Sequence, residues 1–315
     1  MIYTVTVNPT LDKTWAVPEL RPGEFHRCRV ISEDMAGKGI NVSQALQLLG
    51  IPSKTLGFLG GHTGQVFRDG LTALGLDLDF IEVGGETRQN ITLLDEKTGL
   101  YTKLNEPGPT AKPEHIDALY RQVETYTQPG DIWVLSGSLP PGAPIDLYAQ
   151  IIRRAQERGG RAFLDSSGEA MQAGMRARPF GVKPNSDEAS EFFGEKIASD
   201  DDHVRAVRRL LQTDGTEVAA ITRGEDGLVL ALKSDSGRVI IARPPAVEAI
   251  NPVAAGDSAM TGMLWGLLEG CDAVEVARRA TAFGTATAMQ PGSRLGSRSL
   301  IEELIPQIQI TAIHR

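Results

Sequence analysis

The chain reads as an α/β protein: a mainly parallel sheet with helices on both faces, and a small second sheet projecting from it. Three observations predict this. Short β-rich runs alternate with helical runs along most of the length, and a strand that returns parallel to its predecessor needs such a crossover. Two stretches, residues 12–32 and 86–106, break the alternation with polar, turn-forming sequence. The 315 residues, 41% of them hydrophobic, suffice for one large core or two modest ones.

Taken in order, the chain opens on a strand over 2–7 and a helix over 40–49, then a strand over 54–59 and a helix over 65–74. A strand over 132–135 precedes a helix over 145–158 and a strand over 161–164. A helix over 204–212 leads into a strand over 218–222. Residues 90–95 and 100–104 flank the turn signal EKTG, a hairpin pattern. Together with 12–32 they form a sheet too small to bury both faces alone. It would cover a site, pair with another subunit, or do both. Residues 228–232 and 238–241 read as antiparallel strands at the edge of the main sheet. The expected division is a core of 1–11, 33–85 and 107–315, and a β-sheet lid of 12–32 and 86–106.

Composition excludes several classes. A net charge of −8 and the absence of a basic block argue against a nucleic-acid surface. An anionic substrate must then be held by local Lys and Arg groups and by backbone amides. Two cysteines, Cys28 and Cys271, make neither a disulfide framework nor a zinc site and read as reduced thiols. The N-terminal MIYTVTVNPT alternates like a strand and lacks a signal-peptide layout. No apolar run approaches the ~20 residues that span a bilayer. The expectation is a cytoplasmic protein away from membranes.

The run NPVAAGDSAMTGML, residues 251–264, carries the most chemistry. Small residues lead into Asp257 and an apolar helical run, so backbone N–H groups converge on one point, a ready anion site. A carboxylate there makes sense if Asp257 takes a proton from a hydroxyl while the amides stabilise a transferring phosphoryl group. That combination points to a kinase. In MAGKGINVSQAL, residues 35–46, glycines flank Lys38 and Asn41 follows. The spacing is not that of a P-loop. It fits close backbone approach to a ligand, or a plain glycine-rich helix start. Asp12 follows the first strand, where open α/β sheets bind ligands; it suits sugar hydroxyls or a solvated turn.

Gly137 and Ser138, in SGSLPPG, either line the same crevice or form a rigid proline turn. Lys183, Asn185 and Glu188 lie at a strand end and helix start. Asn185 and Glu188 suit hydrated Mg2+ near phosphates, and Glu188 alone equally suits the helix dipole. Thr222, Gly224 and Gly227 face nucleotide phosphates or make a hairpin turn. Arg88 and Arg27 lie in the two lid segments, and arginine suits bidentate phosphate recognition.

These motifs, in one order over nearly the whole chain (NPTLD, AGKGINVSQAL, LGFLGG, TRQN, NEPGP, SGSLPPG, DSSGEA, VKPNSDE, TRGEDG, NPVAAGDS), resemble the PfkB/ribokinase family of sugar kinases, in its phosphohexose branch. The resemblance implies a ribokinase-like, Rossmann-type α/β/α three-layer core with a β-sheet lid, shared in a homodimer. It implies ATP-dependent phosphorylation of a ketohexose phosphate to the bisphosphate, with Mg2+, and leaves a monovalent cation (K+) as a further cofactor. Asp257 matches the base, and the amides of Ala255, Gly256 and Asp257 its anion hole. Asp12, Gly37, Lys38, Asn41, Arg88 and Ser138 match sugar-phosphate contacts. Asn185, Glu188, Thr222, Gly224 and Gly227 match the nucleotide and metal side, and Gln290 lies near the expected adenine.

There are departures. Ala254 replaces a glycine, costing of order 1 kcal/mol if its φ is positive. Asn251 replaces an acid common at the cation site. Thr92 replaces the lysine of an R-x-N-x-K pattern found in 1-phosphofructokinases. Fructose 1-phosphate is favoured as substrate, with tagatose 6-phosphate and fructose 6-phosphate as alternatives. A non-catalytic sensor on the same fold would have no use for Asp257. A dinucleotide-dependent dehydrogenase would need a G-x-G-x-x-G where NPTLD stands.

Overall fold

A computed structural model describes residues 1–235 and 238–314; Arg315, the last residue of the expected core, lies outside them. In chain order the strands are β1 (Ile2–Thr6), β2 (Thr10–Val17), β3 (Arg29–Ala36), β4 (Ser53–Leu59), β5 (Asp77–Glu82), β6 (Arg88–Asp95), β7 (Tyr101–Asn105), β8 (Ile132–Ser136), β9 (Arg161–Asp165), β10 (Gly181–Val182), β11 (Val218–Thr222), β12 (Leu228–Leu232), β13 (Val239–Arg243) and β14 (Gln309–Ile313). The helices are α1 (Lys38–Leu48), α2 (Gly61–Ala73), α3 (Pro113–Tyr126), α4 (Leu147–Glu157), α5 (Gly168–Arg176), α6 (Ser186–Phe193), α7 (Asp200–Leu211), α8 (Ala255–Leu268), α9 (Ala273–Ala288) and α10 (Arg298–Leu304).

The main sheet runs β14-β13-β12-β11-β10-β9-β8-β1-β4-β5. It is parallel from β5 to β11 and antiparallel from β11 to β14. β1 and β8 are buried at every residue, as strands covered on both faces must be. Side chains alternate between two apolar layers. Trp133 and Leu135 pack on one side with Tyr148, Ile152 and Val207. Ile132 and Val134 pack on the other with Leu46, Met260, Leu264 and Phe283. The three-layer core is therefore as the resemblance implies. The edge differs: β12 and β13 are antiparallel, but β14 pairs outside β13 and forms the edge itself. The helix expected at 204–212 starts earlier, because Ser199 and Asp202 form a capping box ahead of it.

The second sheet runs β3-β2-β6-β7. β6 and β7 form the expected hairpin, with Asn90 opposite Asn105 and Leu94 opposite Tyr101. β2 and β3 reach Thr10 and Ala36, outside the expected 12–32. Leu11 of β2 packs with Phe67 and Leu71 of α2, which anchors the small sheet to the core. Among the described residues no helix is long and apolar enough to cross a membrane.

Candidate active site

A cavity of about 480 Å³ opens at the C-terminal ends of β1, β8, β9 and β11, beneath the small sheet. This is where an open α/β sheet places ligands. Thr6, Asp12, Gly37, Lys38, Asn41, Arg88, Ser138, Lys183, Asn185, Glu188, Thr222, Gly256 and Asp257 all line it.

Asp257 lies in the first turn of α8, only 6% exposed. Asn41 Nδ2 donates to its Oδ2 at 2.7 Å. Burial pushes the Asp257 carboxyl up to about 7, the nearby Asp165 adds to this, and Lys38, Asn41 and Lys183 pull against it. The group is thus poised to take up a proton near neutral pH. Asn41 reaches it because α1 starts hard against β1. A Cβ on Gly39 would stand 2.9 Å from the Val5 carbonyl and 2.7 Å from Thr6 Oγ1, so only glycine permits that approach.

Ala254 has φ 62°, ψ −3°, the left-handed region that costs a non-glycine residue of order 1–2 kcal/mol. It closes a turn in which the Ala255 amide donates to Pro252 O at 3.2 Å. Of the three residues expected to form the anion hole, Gly256 and Asp257 line the cavity, while the Ala255 N–H is engaged within the turn.

The cavity floor is a buried charge network. Asp165, at the end of β9, accepts from Lys38 at 2.8 Å and from Lys183 at 3.0 Å. Burial alone would raise the Asp165 pKa, yet Lys183 and Lys38 together hold it below the usual carboxylate range. Lys38 also reaches Glu188 at 3.0 Å. Burial opposes the Lys38 charge, but Asp165, Glu188 and Asp257 hold its pKa well above the ordinary value. Asp165 was not singled out from sequence; its signal was a lone acid ending a buried parallel strand in DSSGEA.

At the small-sheet end, Asp12 accepts from Asn90 Nδ2 at 3.1 Å. Burial raises its pKa, against hydrogen bonds from Thr10 and Asn90 and the charge of Arg88. Arg88 donates through Nη1 to Glu106 O at 3.3 Å, while its buried Nε has no partner. Asn8, also missed from sequence, ties the loops at Pro107 and Leu139 together at 3.2 and 3.5 Å.

On the other side, Asn185 caps α6. Its Oδ1 accepts from the Glu188 amide at 2.8 Å, and Glu188 Oε2 accepts from the Asn185 amide at 2.9 Å. One Glu188 oxygen thus serves the helix cap, as the dipole reading expects, and the other pairs with Lys38. Thr222 bridges to Asn185. No cluster of three or more His, Cys, Asp or Glu suited to a metal occurs among the described residues. One carboxylate and one amide oxygen still fit Mg2+, which keeps its waters and leans on substrate phosphates.

Besides Ala255, four expected residues lie outside the cavity lining. Gly224 and Gly227 have φ 59° and 83° and shape the turn between β11 and β12, where positive φ demands glycine. Gln290 folds back on α9, its Nε2 donating to Ala286 O at 3.3 Å. Arg27 is exposed in the segment before β3. Asn251 turns its Oδ1 to the Val253 amide at 2.9 Å.

Residues 5–299 match the profile of the pfkB family carbohydrate kinases. The chain is 36% identical to a 1-phosphofructokinase of Bacillus subtilis over 313 residues, covering 99% of this chain and 100% of that one. It is 30% identical to a tagatose-6-phosphate kinase of Staphylococcus epidermidis over 315 residues, covering 99% and 100%. Its fold is similar to phosphofructokinase-2 from Escherichia coli in complex with potassium, with a TM-score of 0.90, 30% identity, and 97% and 98% of the two chains covered. That E. coli protein also has a tetrameric inhibited form.

Proposed function

The chain belongs to the pfkB family of carbohydrate kinases, and on that premise we propose that it transfers the ATP γ-phosphoryl group to fructose 1-phosphate, giving fructose 1,6-bisphosphate. The activity class, ATP-dependent phosphorylation of a ketohexose phosphate on an alcohol, is that of its relatives over their full length. The observation that carries the reading is Asp257, a buried carboxylate held by Asn41 at a helix N-terminus and facing the cavity.

The sugar phosphate lies under the small sheet, its phosphate on Arg88 and its hydroxyls on Asp12 and Ser138. Asn41 holds Asp257 in line with the acceptor hydroxyl. The carboxylate accepts that hydroxyl's proton as the oxygen attacks. The α8 N-terminus, with the Gly256 and Asp257 amides, faces the negative charge that develops. Lys38 and Lys183, locked on Asp165, offer fixed positive charge on the floor. Asn185 and Glu188 would hold Mg2+, which neutralises charge on the transferring phosphates. The small sheet excludes water and so limits ATP hydrolysis. No step of this scheme is routed through K+; Asn251, where an acid was expected, is neutral and its Oδ1 accepts from the Val253 amide. A homodimer through the small sheet is part of the proposal, supported by large apolar side chains exposed on β3 and β7.

The test is ADP release in Mg-ATP with fructose 1-phosphate, tagatose 6-phosphate and fructose 6-phosphate side by side. The expected result is a kcat/KM for fructose 1-phosphate at least tenfold above the others. Preference for another sugar corrects the substrate, and no turnover with any of them rejects the kinase reading.

A further inference from the structure

The cavity offers too little free positive charge for its substrate. Lys38, Arg88 and Lys183 line it against Asp12, Asp165, Glu188 and Asp257. Lys38 and Lys183 are already ion-paired, so Arg88 alone would face a phosphate dianion. Such groups are usually held by more than one cation or by several donors.

The register of the small sheet supplies a second cation. Arg88, Asn90 and Thr92 alternate onto one face of β6. Arg88 stands opposite Thr10, and Asn90 opposite Asp12. Thr10, Asp12 and Arg88 all line the cavity, so this is the face turned toward it. On the other flank of β6, Thr92 stands opposite Lys103 of β7. Paired residues share a face, which puts Lys103 on the same side as Arg88. Lys103 is exposed and makes no ion pair among the described residues, whereas Lys13 and Lys97 of the same region are paired with Glu33 and Glu19.

Reach agrees. Arg88 and Thr92 are four residues apart, about 13 Å along the strand, and Lys103 is about 5 Å across. The extended stems of arginine and lysine each span roughly 6 Å. The two cations can therefore close on one phosphate lying over the Asn90–Asn105 pair.

We propose that Lys103 is a second phosphate-binding residue for the sugar phosphate, acting with Arg88 from the strand next to it. The proposal rests on the sugar-phosphate kinase reading above. A lysine at position 92 would bring its ammonium to the same patch, so Lys103 makes up across the strand pair for the neutral Thr92.

The experiment uses the full chain and fructose 1-phosphate, with wild type measured first. Lys103→Met keeps the stem and removes the charge. It should raise KM for the sugar phosphate about tenfold, the loss of one charge-assisted contact, with KM for Mg-ATP within about twofold of wild type. Lys103→Arg should stay near wild type, and the double variant Thr92→Lys/Lys103→Met should recover most of the loss. An unchanged sugar-phosphate KM in Lys103→Met, in a wild type that turns over normally, overturns Lys103 and leaves the kinase reading intact. A rise in Lys103→Met that Thr92→Lys does not reverse overturns the shared patch. A wild type inactive on every ketohexose phosphate overturns both readings together.

Discussion

Asp257 is where burial and chemistry meet. Its carboxyl is pushed up to about 7 by desolvation first and Asp165 second. Only the carboxylate can accept a proton, so kcat/KM should fall as pH drops below about 7, and the pH-rate profile reads that limb directly. Asp257→Asn should lower kcat by about a thousandfold or more and abolish the limb, while both ligands still bind. Stability runs the other way. A carboxyl whose folded pKa is raised contributes stability below its unfolded pKa, and this is lost as pH rises through about 7. Above that, the buried charge costs up to about 4 kcal/mol. Asp257→Asn should therefore raise Tm at pH 8 and change it little at pH 4; an equal shift at both values would contradict the assignment. Ala254 gives a second local test. Its left-handed backbone tolerates alanine at a small cost, but a β-branched side chain there is a severe outlier. Ala254→Val should lose more than about 2 kcal/mol in denaturant unfolding and most of the activity. Ala254→Gly should stay within about 1 kcal/mol of wild type, since relieved strain offsets added unfolded-state entropy.

At the scale of elements, α8 positions Asp257 only because α9 packs tightly behind it. A Cβ on Gly262 would stand 2.5 Å from Arg279 O and 2.8 Å from Ala280 Cα, both backbone atoms that cannot swing aside. Gly262→Ala gains about 1 kcal/mol of helix propensity and faces overpacking of about 1–3 kcal/mol. The clash should win: thermal unfolding should show a lower Tm, and kcat should fall as α8 shifts. The same contrast of local and long-range information explains what the sequence revealed. β1, β8 and the β6–β7 hairpin were legible because apolar runs and a turn signal are local. β14 was not, since Gln309–Ile313 is half exposed and owes its place to β13. Asp257, Lys38 and Asn41 were legible through motifs. Asp165 was not, because its role comes from Lys38, 127 residues away in sequence. For Gly224 and Gly227 the sequence offers both a phosphate-facing loop and a hairpin turn, because a glycine turn looks the same in sequence whether it cradles a ligand or reverses a strand.

For the whole molecule, the small sheet poses the main question. Its edge strands are β3 and β7. They expose Val30 at 57%, Ile31 at 45%, Tyr101 at 61% and Leu104 at 53%. A four-stranded sheet with large apolar side chains on open edges is poorly protected in a monomer. Burying each such side chain in an interface would contribute on the order of 1.5–3 kcal/mol before association costs. Pairing of two small sheets about a twofold axis would cover both sets at once. The double variant Ile31→Lys/Leu104→Lys should therefore halve the mass seen by sedimentation equilibrium. It changes none of the residues lining the cavity, so circular dichroism should report an intact core. The small sheet, left unsupported, should then close less well over the cavity, raising KM for the sugar phosphate. A wild type that sediments as a monomer at micromolar concentration would refute the shared small sheet and leave the catalytic assignments to stand on the single chain.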